Sequence, residues 1–470
     1  MPISIQKRRL KEVSPAPDLE TLSRWDKQWI WHPFTQMGDW AKEDILIIES
    51  GKGCYLKDVN GKRYLDGVSS LWCNIHGHRV PELDRAIKKQ INQIAHSTFL
   101  GLSNVPAIEL AKELIEIAPK GMARVFYSDS GSEAVEIALK IAYQYWQHKG
   151  ERNRTKFIHL ANAYHGDTIG SVSVGGIELF HDIYKPLLFE TFSAPAPYRY
   201  RDSFEGTEAE YTNYCAKRLE EVIRRHTEET CALIMEPLMQ GAAGMMSQPK
   251  GYISRARELT KRYNILLIFD EVATGFGRTG RMFACAHESV TPDLLCLAKG
   301  LSAGYLPLAA TLATEEIYEA FLGCYDELKT FFHGHTYTAN PLACAVSRAN
   351  LELFKSARVL EKLAPKIQFL EEELDRFKSL SHVGDIRQVG FMVGIELVRD
   401  QKTREPYELK EKMGIRVIQE ARQRGVIIRP LGNVIVLMPP LAMEIKELKK
   451  LLNVVYQSIK FVTEGSKVKV

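Results

Sequence analysis

The chain has 470 residues, 45% hydrophobic and 26% charged, which excludes a disordered, collagen-like or coiled-coil protein and allows about two to four domains, or one large domain with a smaller attachment. Its 62 Lys and Arg against 58 Asp and Glu leave a net charge of only +4, too little to draw nucleic acid or anionic lipid and in keeping with small-molecule partners. The apolar runs, such as Ile265 to Phe269, fall far short of the roughly 18 residues of a membrane span, so no membrane partner is expected.

In chain order, the first twenty residues, MPISIQKRRLKEVSPAPDLE, hold a basic cluster without the apolar core of an export signal. Residues 1–75 carry Trp25, Trp29, Trp31 and Trp40, a strand-like Tyr55 to Asp58 and an Asn60-Gly61 turn; they are assigned to a small domain shared with the far end of the chain. From 76 to 345, short apolar runs alternate with helical patterns: Arg124 to Tyr127, Phe157 to Leu160, Cys231 to Met235, Ile265 to Phe269, Leu294 to Ala298 and Leu308 to Ala313. Lacking polar alternation, these runs read as strands covered on both faces, which predicts a large α/β domain around a mostly parallel sheet. From 346 to 470 the texture changes to charged helices (Val359 to Lys378, Glu411 to Arg424, Glu444 to Ile459) and strands (Phe391 to Val398, Val426 to Arg429, Val434 to Met438), a smaller α+β domain. Eight scattered cysteines, with no C-x-x-C pair or zinc-finger spacing, fit a reducing, cytoplasmic setting.

The chemistry concentrates in ILLIFDEVATGFGRTGRMFACAHESVTPDLLCLAKG, residues 265 to 300. Two apolar strands end there in charges, Asp270 and Lys299, at the edge where open α/β sheets bind ligands. A lysine between Leu297, Ala298 and Gly300 loses solvent, which favours the neutral, nucleophilic amine. Taken alone, an exposed strand-end lysine is the plainer reading. An acid and such a lysine together match pyridoxal phosphate, which needs an imine-forming amine and a carboxylate for its ring nitrogen. Upstream, SDSGSEAVEIALKIAYQYW places Ser130, Gly131 and Ser132 at the start of a helix with apolar spacing at Ala134, Ile137, Ala138 and Ile141, a ready phosphate site or an ordinary capped helix. GFGRTG fits a dinucleotide motif, but residues 270 to 274 separate it from its strand and no helical spacing follows. His76-Gly-His78 and His333-Gly-His335 lack companion ligands at recognisable spacing and read as loop histidines, so no metal is expected.

DEVATGFGRTG, CLAKG, YSDSGSEAVEIALK and HGHTYTANPLAC together resemble the class III aminotransferases, fold-type I pyridoxal phosphate enzymes, over nearly the whole chain. Within them, WHPFTQM, DGVSSLWCNIHGH, AYHGDTIGSVSVGG and IIRPLGNVIVLMPP resemble the branch that converts 8-amino-7-oxononanoate to 7,8-diaminononanoate in biotin synthesis. The resemblance implies that Lys299 is the imine-forming lysine and proton shuttle, and that Asp270 keeps the ring nitrogen protonated. It implies that Gly131 and Ser132 hold the phosphate with His335 and Thr336 of a neighbouring subunit, so that a homodimer shares its sites, and that Tyr164 stacks on the ring. Arg429 then pairs with the substrate carboxylate and Gly334 lines the pocket. Glu236 and Arg278 sit in family motifs, as structural ion pairs or as direct participants. The branch's S-adenosylmethionine users have tyrosine at the place of Phe34 and Trp-Trp at Leu71-Trp72. Both positions fall where substrates touch, which leaves S-adenosylmethionine, the commoner donor, and lysine open as amino donors. A 4-aminobutyrate-type or ω-amino acid:pyruvate aminotransferase is the alternative on the same scaffold.

Overall fold

The computed structural model describes residues 17–465, so the basic cluster near the amino terminus lies outside the described residues. Seven strands form the central sheet in the order Met122–Ser128, Ala309–Thr314, Leu294–Leu297, Leu266–Asp270, Thr230–Met235, Lys156–Leu160 and Phe192–Ala194. Only Ala309–Thr314 runs against the others. The inner strands are largely apolar because successive side chains enter two different cores. Leu266 and Ile268 pack with Ile137, Ala138 and Ile141 of the helix Gly131–His148. Leu267 and Phe269 meet the opposite layer, where Leu219 and Ile253 project from the helices Glu208–His226 and Tyr252–Arg262. Each such buried side chain contributes about 1.5–3 kcal/mol relative to exposure.

Both chain ends build two further sheets. Ile48–Lys52, Tyr55–Asp58 and Arg63–Asp66 form a meander whose last strand pairs in parallel with Val426–Ile427. A carboxy-terminal sheet joins Val383–Val389, Met392–Asp400, Val434–Leu437 and Arg429–Leu431, with Glu405–Pro406 at one side.

Three expected elements differ in extent. The strand expected from Val426 to Arg429 is two strands in two sheets: the amino-terminal meander ends at Asp66, Gly67 N–H caps the Ile427 carbonyl, and after buried Ile428 the chain crosses to the carboxy-terminal sheet. The helix expected from Val359 to Lys378 is α-helical to Leu374 and tightens into a 3₁₀ turn over Asp375–Ser379. The one expected from Glu411 starts at Met413, because Lys412 is left-handed at φ 49°.

Candidate active site

The carboxyl ends of the central strands and the start of the helix Gly131–His148 enclose a cavity of about 720 Å³ whose wall includes Trp72, Gly131, Tyr164, Glu236, Asp270 and Lys299. The expected strand-end pair is therefore brought together. Asp270 is buried; its Oδ2 accepts from His165 Nδ1 at 2.7 Å and its Oδ1 from the Val272 amide at 3.0 Å. With Nδ1–H donated, the other nitrogen of buried His165 has no partner among the described residues.

Lys299 follows its strand in a left-handed conformation, φ 44°, a strained geometry for a side-chain-bearing residue. Its Nζ lies 5.3 Å from the centre of the Trp72 ring and has no ion-pair partner among the described residues. Burial lowers its pKa against the opposing pull of Asp270 and Glu236, which enriches the neutral amine.

The helix start is closed by a capping box. Ser130 caps it, its Oγ accepting from the Glu133 amide while Glu133 reaches back to the Ser130 amide. The Ser132 hydroxyl is engaged by Thr168, whose amide donates to it at 3.0 Å, so the helix's backbone amides are what remains for an anion. Gly166, at φ 123°, must be glycine: a Cβ there would stand 2.3 Å from Ser132 Oγ.

Tyr164 donates its hydroxyl to Asp167 at 2.7 Å, and burial with that bond keeps the phenol protonated. Its amide donates to Glu236 Oε1 at 3.3 Å, and the Gly241 amide donates to Oε2 at 2.9 Å. Burial pushes the Glu236 carboxyl up to about 7, with His165 lowering it and Asp270 raising it.

Neither motif residue left open by the sequence forms an ion pair among the described residues. Glu236 is held by backbone amides, and Arg278, 1% exposed, ties three loops through Pro439 O at 2.6 Å, Asn74 O at 2.8 Å and Ser69 Oγ at 2.9 Å. The GFGRTG segment is a run of turns ending in the short 3₁₀ helix Ala284–His287, not the strand-to-helix turn of a dinucleotide site. His76 bonds Asn350 and His78 bonds Asp66, both from loops.

Other expected site residues stand outside the wall of this single chain. Phe34 is 57% exposed; its ring meets Phe180 at 5.4 Å, and Phe180 meets Tyr164 at 6.4 Å. Leu71 turns outward in four consecutive left-handed residues, Ser69 to Trp72, which turn the Trp72 ring inward instead. Gly334 and Thr336 are exposed, and His335 lies 3.6 Å from Glu133. Arg429 is half-buried at the start of its strand, without an ion pair among the described residues. The sequence reading missed His165, although AYHGD contains it; the available signal was a strand-end carboxylate needing a donor.

The Aminotransferase class-III family matches residues 37–459. An adenosylmethionine-8-amino-7-oxononanoate aminotransferase of Geobacter sulfurreducens is 52% identical over 452 residues, 96% of this chain and 100% of the relative. The enzyme of that name from Methanocaldococcus jannaschii has a crystal structure that superposes with a TM-score of 0.90 at 49% identity, covering 94% of this chain and 99% of that one. An omega transaminase of Pseudomonas jessenii, crystallised in complex with PMP, superposes with a TM-score of 0.90 at 32% identity, over 94% of this chain and 98% of that one.

Proposed function

The chain belongs to the class-III aminotransferases, and from that membership we propose that it transfers an amino group to 8-amino-7-oxononanoate, yielding 7,8-diaminononanoate for biotin synthesis, with S-adenosylmethionine as donor. The observation that carries the reading is the convergence of Asp270, Lys299 and a helix start on one cavity large enough for a cofactor and a substrate. Relatives named for this reaction, about half identical over nearly the whole chain, support the substrate.

The residues present fit pyridoxal phosphate: an amine for its aldehyde, a carboxylate for its ring nitrogen and free amides for its phosphate. When bound, this cofactor supplies an electrophilic carbon and a ring that takes up the electron pair left as a proton departs. Asp270, oriented by His165, holds a proton at the ring nitrogen. Gly131 and Ser132 bind the phosphate through their amides, joined by the partner subunit's His335 and Thr336. Tyr164 covers one ring face, its hydroxyl fixed by Asp167. Lys299, buried and with its pKa lowered, would supply the neutral amine that holds the cofactor's aldehyde and, once displaced from it, a base placed to take up and return a proton. Arg429 offers its planar fork to the substrate carboxylate. Eight unbridged thiols support a reducing, cytoplasmic setting.

Lysine as donor is the second reading: where the branch's S-adenosylmethionine users carry a tyrosine hydroxyl and an indole, this chain has Phe34, whose ring meets Tyr164 only through Phe180, and the outward-turned Leu71. Mixing the cofactor-loaded enzyme separately with S-adenosylmethionine, lysine and alanine tests both readings. Loss of the visible cofactor band with S-adenosylmethionine is expected; bleaching by lysine alone moves the donor assignment, and bleaching by alanine alone moves the enzyme to the ω-amino acid:pyruvate group.

A further inference from the structure

The guanidinium of Arg387, on the strand Val383–Val389 of the carboxy-terminal sheet, is 5% exposed and grips two things at once. On one side, Nε donates to Met245 O at 3.0 Å and Nη2 to Gly244 O at 2.8 Å. On the other, Nη1 donates to Glu396 at 2.6 Å, Asp385 at 2.7 Å and Tyr198 Oη at 3.0 Å.

Gly244 and Met245 close the turn between the short strands Met239–Gln240 and Met246–Ser247. Both are left-handed, at φ 97° and 57°, a geometry that persists where surroundings over-determine it. Their amides donate to Gly241 O at 3.2 and 3.0 Å, and the Gly241 amide in turn donates to Glu236 Oε2 at 2.9 Å. The close approach of the turn to the sheet also needs Gly394, where a Cβ would meet Gly244 O at 2.9 Å. An unbroken run of hydrogen bonds thus leads from the guanidinium fork, through one turn, to a carboxyl in the cavity wall and on to the Tyr164 amide.

We propose that Arg387 is a positioning residue: by fixing two successive carbonyls of the 241–245 turn, it sets the Glu236 carboxyl, and through it Tyr164, against the cofactor. The inference rests on the aminotransferase reading of the cavity. Lysine at 387 keeps a charge for Glu396 but reaches one carbonyl rather than two. Glu396 retains Arg201 and Tyr198, so that replacement strands no buried charge.

The test compares cofactor-loaded wild type with Arg387→Lys and with Arg387→Met/Glu396→Leu, which removes both charges and protects against a folding failure of the first. The control is Arg257→Lys, which disrupts a bidentate pair with Asp293 at the amino-terminal ends of the central strands, away from the cavity. Readouts are the pyridoxal phosphate dissociation constant, the visible circular dichroism of the bound cofactor, and kcat and KM separately. Both Arg387 variants are expected to raise the dissociation constant about tenfold and to weaken the dichroism. The control is expected to lower the thermal midpoint and leave both at wild-type values. Wild-type values in both Arg387 variants, or equal shifts in the control, overturn the inference. A wild-type enzyme with no borohydride-reducible linkage to pyridoxal phosphate overturns the reading of the cavity beneath it, a result distinguishable from the first two.

Discussion

Arg387 and Lys299 are both cations held inside the protein, yet the chain surrounds them differently. Arg387 meets two carbonyls, two carboxylates and a phenol. Lys299 stands in a cavity wall with no ion-pair partner among the described residues, and His165 Nε2 and Trp72 Nε1 of residues lining the same cavity also lack hydrogen-bond partners among them. Unmet buried polar groups are costly, so a folded chain retains them where a ligand completes them. The satisfied cluster is scaffold; the unsatisfied one is a site.

That contrast is broken most directly at the lysine. Lys299→Ala is expected to abolish turnover and any borohydride-reducible linkage to the cofactor; removing a general base alone costs about 10²–10⁴-fold. Undiminished turnover in a purified variant would refute the role. Next in size, Asp270→Asn keeps an acceptor for Val272 but loses the charge beside His165, and kcat should fall by about 10²–10³-fold with folding intact. A steady-state comparison with circular dichroism checks both halves. Smaller again, Arg429→Ala should raise KM for the keto acid with little change in kcat. Because Arg429 is only half-buried, the loss belongs near about 2 kcal/mol, the lower end for a charge pair; a change confined to kcat would remove it from substrate binding.

How far the chain could be read in advance follows the same division. The core strands were legible because residues such as Ile268 and Phe269 are buried on opposite faces and so must all be apolar. Asp270 and Lys299 were legible because a charge ending an apolar run has few structural excuses. His165 was not: its partner is 105 residues away, and nothing local distinguishes it from His159. Arg387 was hidden for the same reason, since its carbonyl partners lie more than a hundred positions upstream. The crossing at Ile428 escaped because both halves of the run are equally apolar, and only the end of the partner strand Arg63–Asp66 decides where the chain changes sheets.

The weakest expected effect also separates scaffold from site, because their carboxyls titrate in opposite senses. Burial alone would raise Glu396, but Arg387 and the bonds from Tyr198 and Arg201 hold it below its ordinary value of 4.5. Its contribution to stability is therefore present above about pH 4.5 and lost as pH falls through the depressed folded value. Glu236, pushed up to about 7 by burial, releases its proton near 4.5 only when unfolded. Between about 4.5 and 7 the folded state binds more protons than the unfolded one, so its part of the stability falls as pH rises. In cofactor-free enzyme, thermal midpoints from pH 4 to 8 should show Glu396→Gln destabilised at pH 7, with the gap to wild type closing in acid. Glu236→Gln should flatten the decline between pH 5 and 7 by about one or two degrees. A decline as steep as that of wild type would mean that the Glu236 carboxyl is already ionised in the folded protein, and that the cavity wall is wetter than its burial implies.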